Sequence, residues 1–158
     1  MLSQRPGSFL RATQLGLVGI LDALLDAGVD VENQGNRSKG LLHEACESEN
    51  MTIARVLLER GVDPNEIGAK DDTPLMVAAR HGNDAIARLL FEYNAGIEAE
   101  DRDWDSALHT AAYYGSEGVA RALLEMEARP TVCGGSGYTP MQLALNRGQF
   151  HLAKLLLE

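Results

Sequence analysis

Three small groups of side chains in this 158-residue sequence have spacings at which chemistry is conceivable. Asp105, Ser106 and His109 bring an acid, a hydroxyl and an imidazole close together in the chain, the set that activates a serine nucleophile when the base touches the hydroxyl and the acid orients the base. His43 and Cys46 lie three apart, which on a helix puts two metal donors on one face. Gly134-Gly135-Ser136-Gly137 is flexible enough for backbone amides to approach a phosphate. Each group also has a simpler explanation. Ser106 stands where a helix begins, so its hydroxyl caps the backbone and the histidine three residues on supports that cap. His43 and Cys46 have no further ligand in sight, and a buried cysteine is ordinary core. The glycine run precedes a helix without a strand before it or a phosphate-loop lysine after it. No catalytic, metal-binding or cofactor-binding residue is assigned, and no cofactor is expected.

The elements that hold these residues are periodic. Leu42-His43-Glu44-Ala45, Leu75-Met76-Val77-Ala78 and Leu108-His109-Thr110-Ala111 follow one another at a spacing of 33 residues. The same step reaches Phe9 and Ala12 on one side and Met141 and Ala144 on the other, so five units share one register. Each unit reads as two short helices. Thr73-Pro74 and Thr139-Pro140 place a capping hydroxyl before a proline at the first helical position, where its missing N–H costs nothing; Ser106 keeps the hydroxyl, while Gly40 and Gly7 do not. The first helix closes at Gly16, Gly82, Gly115 and Gly148, with Glu49 at the matching place in the second unit. The second helix carries a core stripe: Ile20/Leu24, Ile53/Leu57, Ile86/Leu90, Val119/Leu123 and Leu152/Leu156. It closes at Gly28, Gly61 and Asn94, and Glu127 at the fourth such place predicts a strained or altered helix end. One unit cannot bury its own stripe, so stability must come from stacking.

Composition narrows the partner. With 23 acidic and 14 basic residues the net charge is -9, a field that repels nucleic acid and anionic membrane surfaces. No apolar run approaches the ~20 residues needed to cross a bilayer. Cys46 and Cys133 are too few for a disulfide framework and too far apart along the stack to pair, which fits a reducing cytoplasmic or nuclear compartment. The apolar stretch Leu15 to Leu21 follows Arg5 and Arg11 as a secretory signal would, but it occupies repeat positions and reads as helix packing.

Thr-Pro-Leu-Met at 73–76, Ser-Ala-Leu-His at 106–109, Leu-Leu-Glu-Arg-Gly-Val-Asp-Pro-Asn at 57–65 and Leu-Leu-Asp-Ala-Gly-Val-Asp-Val at 24–31 resemble the ankyrin repeat. The resemblance runs from about Gly7 to the end. It implies an all-α solenoid of stacked helix-turn-helix units with short β-hairpin loops, and a slightly curved stack whose concave face holds protein partners. The expected organisation is a single domain over 1–158 with repeats near 3–35, 36–68, 69–101, 102–134 and 135–158, the last incomplete. Gly7-Ser8-Phe9-Leu10 departs from the helix-start motif, marking a capping or degenerate first unit, and Leu17, Val18 and Leu21 predict an apolar N-terminal end. Leu155-Leu156-Leu157 precede Glu158 with no closing glycine, so the natural chain is expected to continue and the uncovered ends could self-associate. Asn65 sits at the loop asparagine that family members can carry hydroxylated; hydrogen bonding to loop backbone is its default role.

By register, the resemblance places the partner-facing positions on the hairpin tips and the exposed ends of the first helices. These are Asn36, Arg37, Lys39, Glu47 and Ser48 in the second unit and Lys70, Asp72, Arg80 and His81 in the third. They continue as Arg102, Asp103, Trp104, Asp105, Tyr113 and Tyr114 in the fourth, and Tyr138, Asn146 and Arg147 in the fifth. Aromatics are only 5% of the chain, so Trp104, Tyr113, Tyr114 and Tyr138 at such positions are the sharpest sign of an interface, centred on units three to five. The acidic run from Glu92 to Asp105 is a secondary place for a basic segment to dock. The expected function is protein binding, regulatory or scaffolding, through a peptide segment or folded domain of the partner; the alternative is a targeting or assembly segment of a larger enzyme, channel or effector.

Overall fold

The computed structural model describes residues 8–27, 40–68 and 70–157, with side chains from Arg11 onward. Among the described residues ten helices form five antiparallel pairs: α1 (Ser8–Gln14) with α2 (Val18–Asp26), α3 (Leu41–Glu47) with α4 (Met51–Glu59), α5 (Pro74–His81) with α6 (Asp84–Glu92), α7 (Ala107–Tyr114) with α8 (Glu117–Glu125), and α9 (Pro140–Asn146) with α10 (Phe150–Leu155). The first helices of successive pairs pack on one another, α1 on α3 on α5 on α7 on α9, and the second helices form a parallel row. The all-α solenoid expected from the repeat is therefore the fold.

Proline and threonine start the helices as their types predict. Thr73 Oγ1 accepts from the Met76 N–H at 3.3 Å and Thr139 Oγ1 from the Gln142 N–H at 3.3 Å. Gln142 returns the bond, its Oε1 accepting from the Thr139 N–H at 2.9 Å, which completes a reciprocal cap. Outer helices begin at Asn50 and Asn83, each accepting from an amide three residues on at 3.0 Å. Gly40 supplies no side-chain cap to α3.

The core runs unbroken along both rows. Ile53, Leu57, Ile86, Leu90, Val119 and Leu123 are fully buried, as are Leu42, Leu75 and Leu108 on the inner helices. The first unit departs from the expected stripe, because Ile20 is 52% exposed while Leu21 beside it is fully buried. No described helix lies beyond α2 on that side, so the position filled between two units elsewhere has a neighbour on one flank only. The apolar end is therefore Leu15, Leu17 and Ile20, not Leu21, and Val18 is half-buried. At the other end Leu156 is buried but Phe150 and Leu157 are exposed.

Left-handed residues punctuate the repeat at three places. Inner helices close at Gly16, Glu49, Gly82, Gly115 and Gly148, and outer ones at Gly61, Asn94 and Glu127, all with positive φ; Gly28 and Gly7 lie outside the described residues. Glu127 at φ 67 thus keeps the helix end its neighbours use, at the cost of strain a side chain feels there. Glu127→Gly is expected to raise stability by ~0.5–1 kcal/mol, the steric relief exceeding the added freedom of the unfolded chain, and a thermal melt that does not rise would show the helix end to be unstrained. The third place is the loop tip, at Asp71, Trp104 and Gly137.

The loops reverse as hairpins do, each closed by two backbone bonds. The Gly68, Asp101 and Gly134 N–H groups donate to the Asp72, Asp105 and Tyr138 carbonyls at 2.8, 3.1 and 3.0 Å. The Asp71, Trp104 and Gly137 N–H groups donate back to the Gly68, Asp101 and Gly134 carbonyls at 3.1, 3.0 and 2.9 Å. Adjacent tips are tied by the Arg102 N–H to the Lys70 carbonyl and the Gly135 N–H to the Asp103 carbonyl. No described loop residue extends into a strand. The glycines at 134 and 135 follow from this crowding. A Cβ on Gly134 would collide with Asp105 Oδ1, and one on Gly135 with the Asp103 carbonyl oxygen, with Trp104 Cδ1 only 3.3 Å away. The run is there for close packing, not for a phosphate.

Candidate functional site

The residues singled out for chemistry are occupied structurally. His109 Nδ1 accepts the backbone N–H of Ser106 at 3.2 Å and lies 2.9 Å from its hydroxyl, while His109 Nε2–H donates to the Val132 carbonyl at 3.1 Å. Both residues are buried, so the histidine ties the start of α7 to the next loop as the capping reading expects.

His43 holds the same repeat position with different partners. Its Nδ1–H donates to Glu66 Oε1 at 3.0 Å and its Nε2–H to the Asp72 carbonyl at 2.9 Å. Both partners are acceptors, so the protonated imidazolium can satisfy both bonds whereas the neutral ring can donate only one of them. Burial pushes this imidazole down, but the Glu66 hydrogen bond, the Asp72 carbonyl and the two nearby carboxylates outweigh it, leaving the group above its ordinary 6.5. Cys46 is fully buried, and desolvation pushes its thiol far up, so it is core.

A pH effect follows for His43. A base raised on folding stabilises the fold fully below its unfolded value of 6.5, and that contribution disappears as pH rises through the higher folded value. Urea unfolding should therefore show His43-dependent stability falling above pH 6.5, and Glu66→Gln should flatten the dependence; an unchanged slope in that variant would refute the ion-pair origin.

Asn65 bridges units: its Oδ1 accepts from the Gly96 N–H at 2.7 Å and its Nδ2 donates to the Asn94 carbonyl at 3.2 Å. One repeat later Glu98 does the equivalent job, accepting from the Arg129 N–H at 2.8 Å and pairing with its guanidinium at 3.2 Å. Part of the acidic run is thus already neutralised.

The positions expected to face a partner form rows along the stack. Arg80 Nη2 meets Asp72 Oδ2 at 3.1 Å, which brings the base of a hairpin against the end of an inner helix. The register then lines up Asp72, Asp105 and Tyr138 in one row, Arg80, Tyr113 and Asn146 in the next, and His81, Tyr114 and Arg147 beyond. The tips add Lys70, Arg102, Asp103 and Trp104. Asp72 is only 8% exposed, so it does not face solvent as the register reading has it; its carboxylate holds Arg80 and its carbonyl accepts from His43 and Gly68. Arg102 is spent on Asp71 across the tips at 2.7 Å, a pairing the sequence reading missed because it joins adjacent units. Ser48 is exposed but its hydroxyl donates to the Glu44 carbonyl at 2.8 Å. Asn36, Arg37 and Lys39 lie outside the described residues.

The aromatics stand out from these rows. Trp104 is 67% exposed, Tyr114 52%, Tyr138 44% and Tyr113 40%. Tyr113 and Tyr114 meet edge to face at 5.1 Å, and the Arg147 guanidinium of the fifth unit lies 4.0 Å over the Tyr113 ring. Trp104 adopts φ 58 at the tip, a conformation unfavourable for a bulky side chain.

Family models for ankyrin repeats match the chain over residues 9–103, in a three-copy form, and again over 108–157, in a many-copy form. The chain belongs to the ankyrin-repeat family. Ankyrin repeats generally serve as protein–protein interaction modules and are typically non-catalytic. A search of the curated proteins found no match. Among the described residues no helix is long and apolar enough to cross a membrane, and no group of histidine, cysteine and acidic side chains is arranged to hold a metal ion.

Proposed function

We propose that this ankyrin stack is a single regulatory or scaffolding domain that holds a protein partner against its inner face, with the contact centred on units three to five. The observation that carries the reading is Trp104. A tryptophan in the left-handed region costs folding free energy of the order of 1 kcal/mol or more, and a ring 67% exposed recovers little of it within the chain. Strain held at an exposed aromatic on a loop tip fits a residue that acts on another molecule. Tyr114 and Tyr138 supply rigid, amphipathic area of the kind that anchors interfaces. Lys70, Arg80, His81, Arg102, Asp103, Asn146 and Arg147 ring them with mixed charge, suited to setting orientation. By register alone, Arg37 and Lys39 belong to the same proposed contact set.

The test is affinity capture from native cell extract with the wild type beside the Trp104→Ala, Tyr114→Ala double variant. Proteins retained by the first and lost by the second are the partners. Identical capture by both would remove the aromatic face from the account.

A further inference from the structure

Comparison of the third and fourth units exposes a missing pair. In the third, Asp72 at the hairpin base meets Arg80 at the end of α5, 3.1 Å apart. The register puts Asp105 and Tyr113 at these two places in the fourth. Tyr113 supplies no cation, and its ring is engaged with Arg147 and Tyr114. Asp105 forms no ion pair among the described residues, and its Oδ1 is buried without a hydrogen-bond partner. The one cation in the tip, Arg102, is turned to Asp71. Asp101 Oδ1 is directed to the Asp103 and Asp105 amides at 2.9 and 3.0 Å, so it shapes the loop and brings its own charge near. Burial pushes the Asp105 carboxyl up and Asp101 and Asp103 push it further, while His109 and a hydrogen bond from the Gly135 backbone draw it down. The site is thus short of one positive charge, beside exposed rings.

We propose that an arginine of the protein partner, presented on an extended basic segment, fills in the fourth unit the place beside Asp105 that Arg80 fills in the third. The proposal rests on the inner face being the interaction surface and names what that surface receives. Arginine fits better than lysine because its planar guanidinium can pair with the outer carboxylate oxygen and at the same time stack on an aromatic face. Trp104, adjacent in sequence, and Tyr138, at the same register position one unit on, are the exposed rings proposed to receive it. The net charge of -9 draws such a segment in, while the Asp105 position selects where it seats.

The test is an amide chemical-shift titration of the full chain with the peptide acetyl-Gly-Arg-Gly-amide, beside the same peptide carrying lysine or the uncharged arginine analogue citrulline. Shifts centred on Asp105, Tyr113 and Tyr138, ordered arginine above lysine above citrulline, are expected. Asp105→Asn should weaken the arginine probe about tenfold, while Glu125→Gln on the outer row should leave it unchanged. Tyr113→Arg, which rebuilds the Asp72–Arg80 pair within the chain, should block the probe and raise the melting temperature. Shifts spread over all acidic surfaces, or binding that survives Asp105→Asn in a folded variant, would overturn the proposal. Partner capture that is lost in the Trp104/Tyr114 double variant yet untouched by Asp105→Asn would overturn it too, leaving the wider reading intact. Probe binding at Asp105 with no specific partner captured would support the cation site and overturn the wider reading.

Discussion

The Trp104→Ala, Tyr114→Ala double variant is expected to bind the captured partner at least a hundredfold more weakly while melting within a few degrees of the wild type. Aromatic anchors at the centre of an interface typically account for ~2–4 kcal/mol each, and their effects are not strictly additive; about 3 kcal/mol in total already corresponds to a hundredfold. Stability should hold because both rings are more than half exposed, so little buried area is lost on truncation. Replacing Trp104 by glycine sharpens the separation. Glycine accepts the φ of 58 that tryptophan endures, so Trp104→Gly should melt no lower than Trp104→Ala and still lose the partner. Isothermal titration with the purified partner, beside thermal melts of each variant, checks both halves. A fall in melting temperature as large as that of a core substitution would mean that Trp104, packed over Gly135, holds the tips together and is not an anchor.

Leu108→Ala should cost about 3–4 kcal/mol of unfolding free energy, the range for removing a large buried side chain whose surroundings cannot collapse. Leu108 is 1% exposed on α7, which packs against α5 on one side and α9 on the other. Met141, one repeat later on α9, is only partly buried, and Met141→Ala should cost about 1 kcal/mol by the smaller area it removes from contact. For a chain of this size the first corresponds to a melting shift of roughly 6–16 °C and the second to roughly 2–4 °C. Denaturant titration of the two variants measures the difference. Equal losses would contradict the view that contact from both neighbouring units, not the helix pair alone, stabilises each repeat.

Much of this protein was legible in its sequence, because the repeat is a local pattern. The spacing of Leu42, Leu75 and Leu108, the threonine-proline starts and the glycine helix ends reflect preferences that operate within one turn of chain, so five helix pairs could be read in order. Even the strain at Glu127 was visible, since its neighbours in register are glycine and asparagine. The failures came where a residue's surroundings depend on another unit. Ile20 fits the stripe by period but lies at an end of the described stack, where one neighbour is missing, and Asp72 reads as a surface acid although Arg80 and His43 draw it inside.

The candidate site divides the same way. Sequence alone determined the family, the helix order, the neutralised reading of Ser106 and His109, and the concentration of aromatics in the later units. Tertiary structure decided which charges are already spent and which are not: Arg102 on Asp71, Glu98 on Arg129, Arg147 over Tyr113, and Asp105 left without a cation. Those pairings join residues about 30 positions apart through long side chains. Their geometry is set by how one unit leans on the next, which the pattern within a single repeat does not encode.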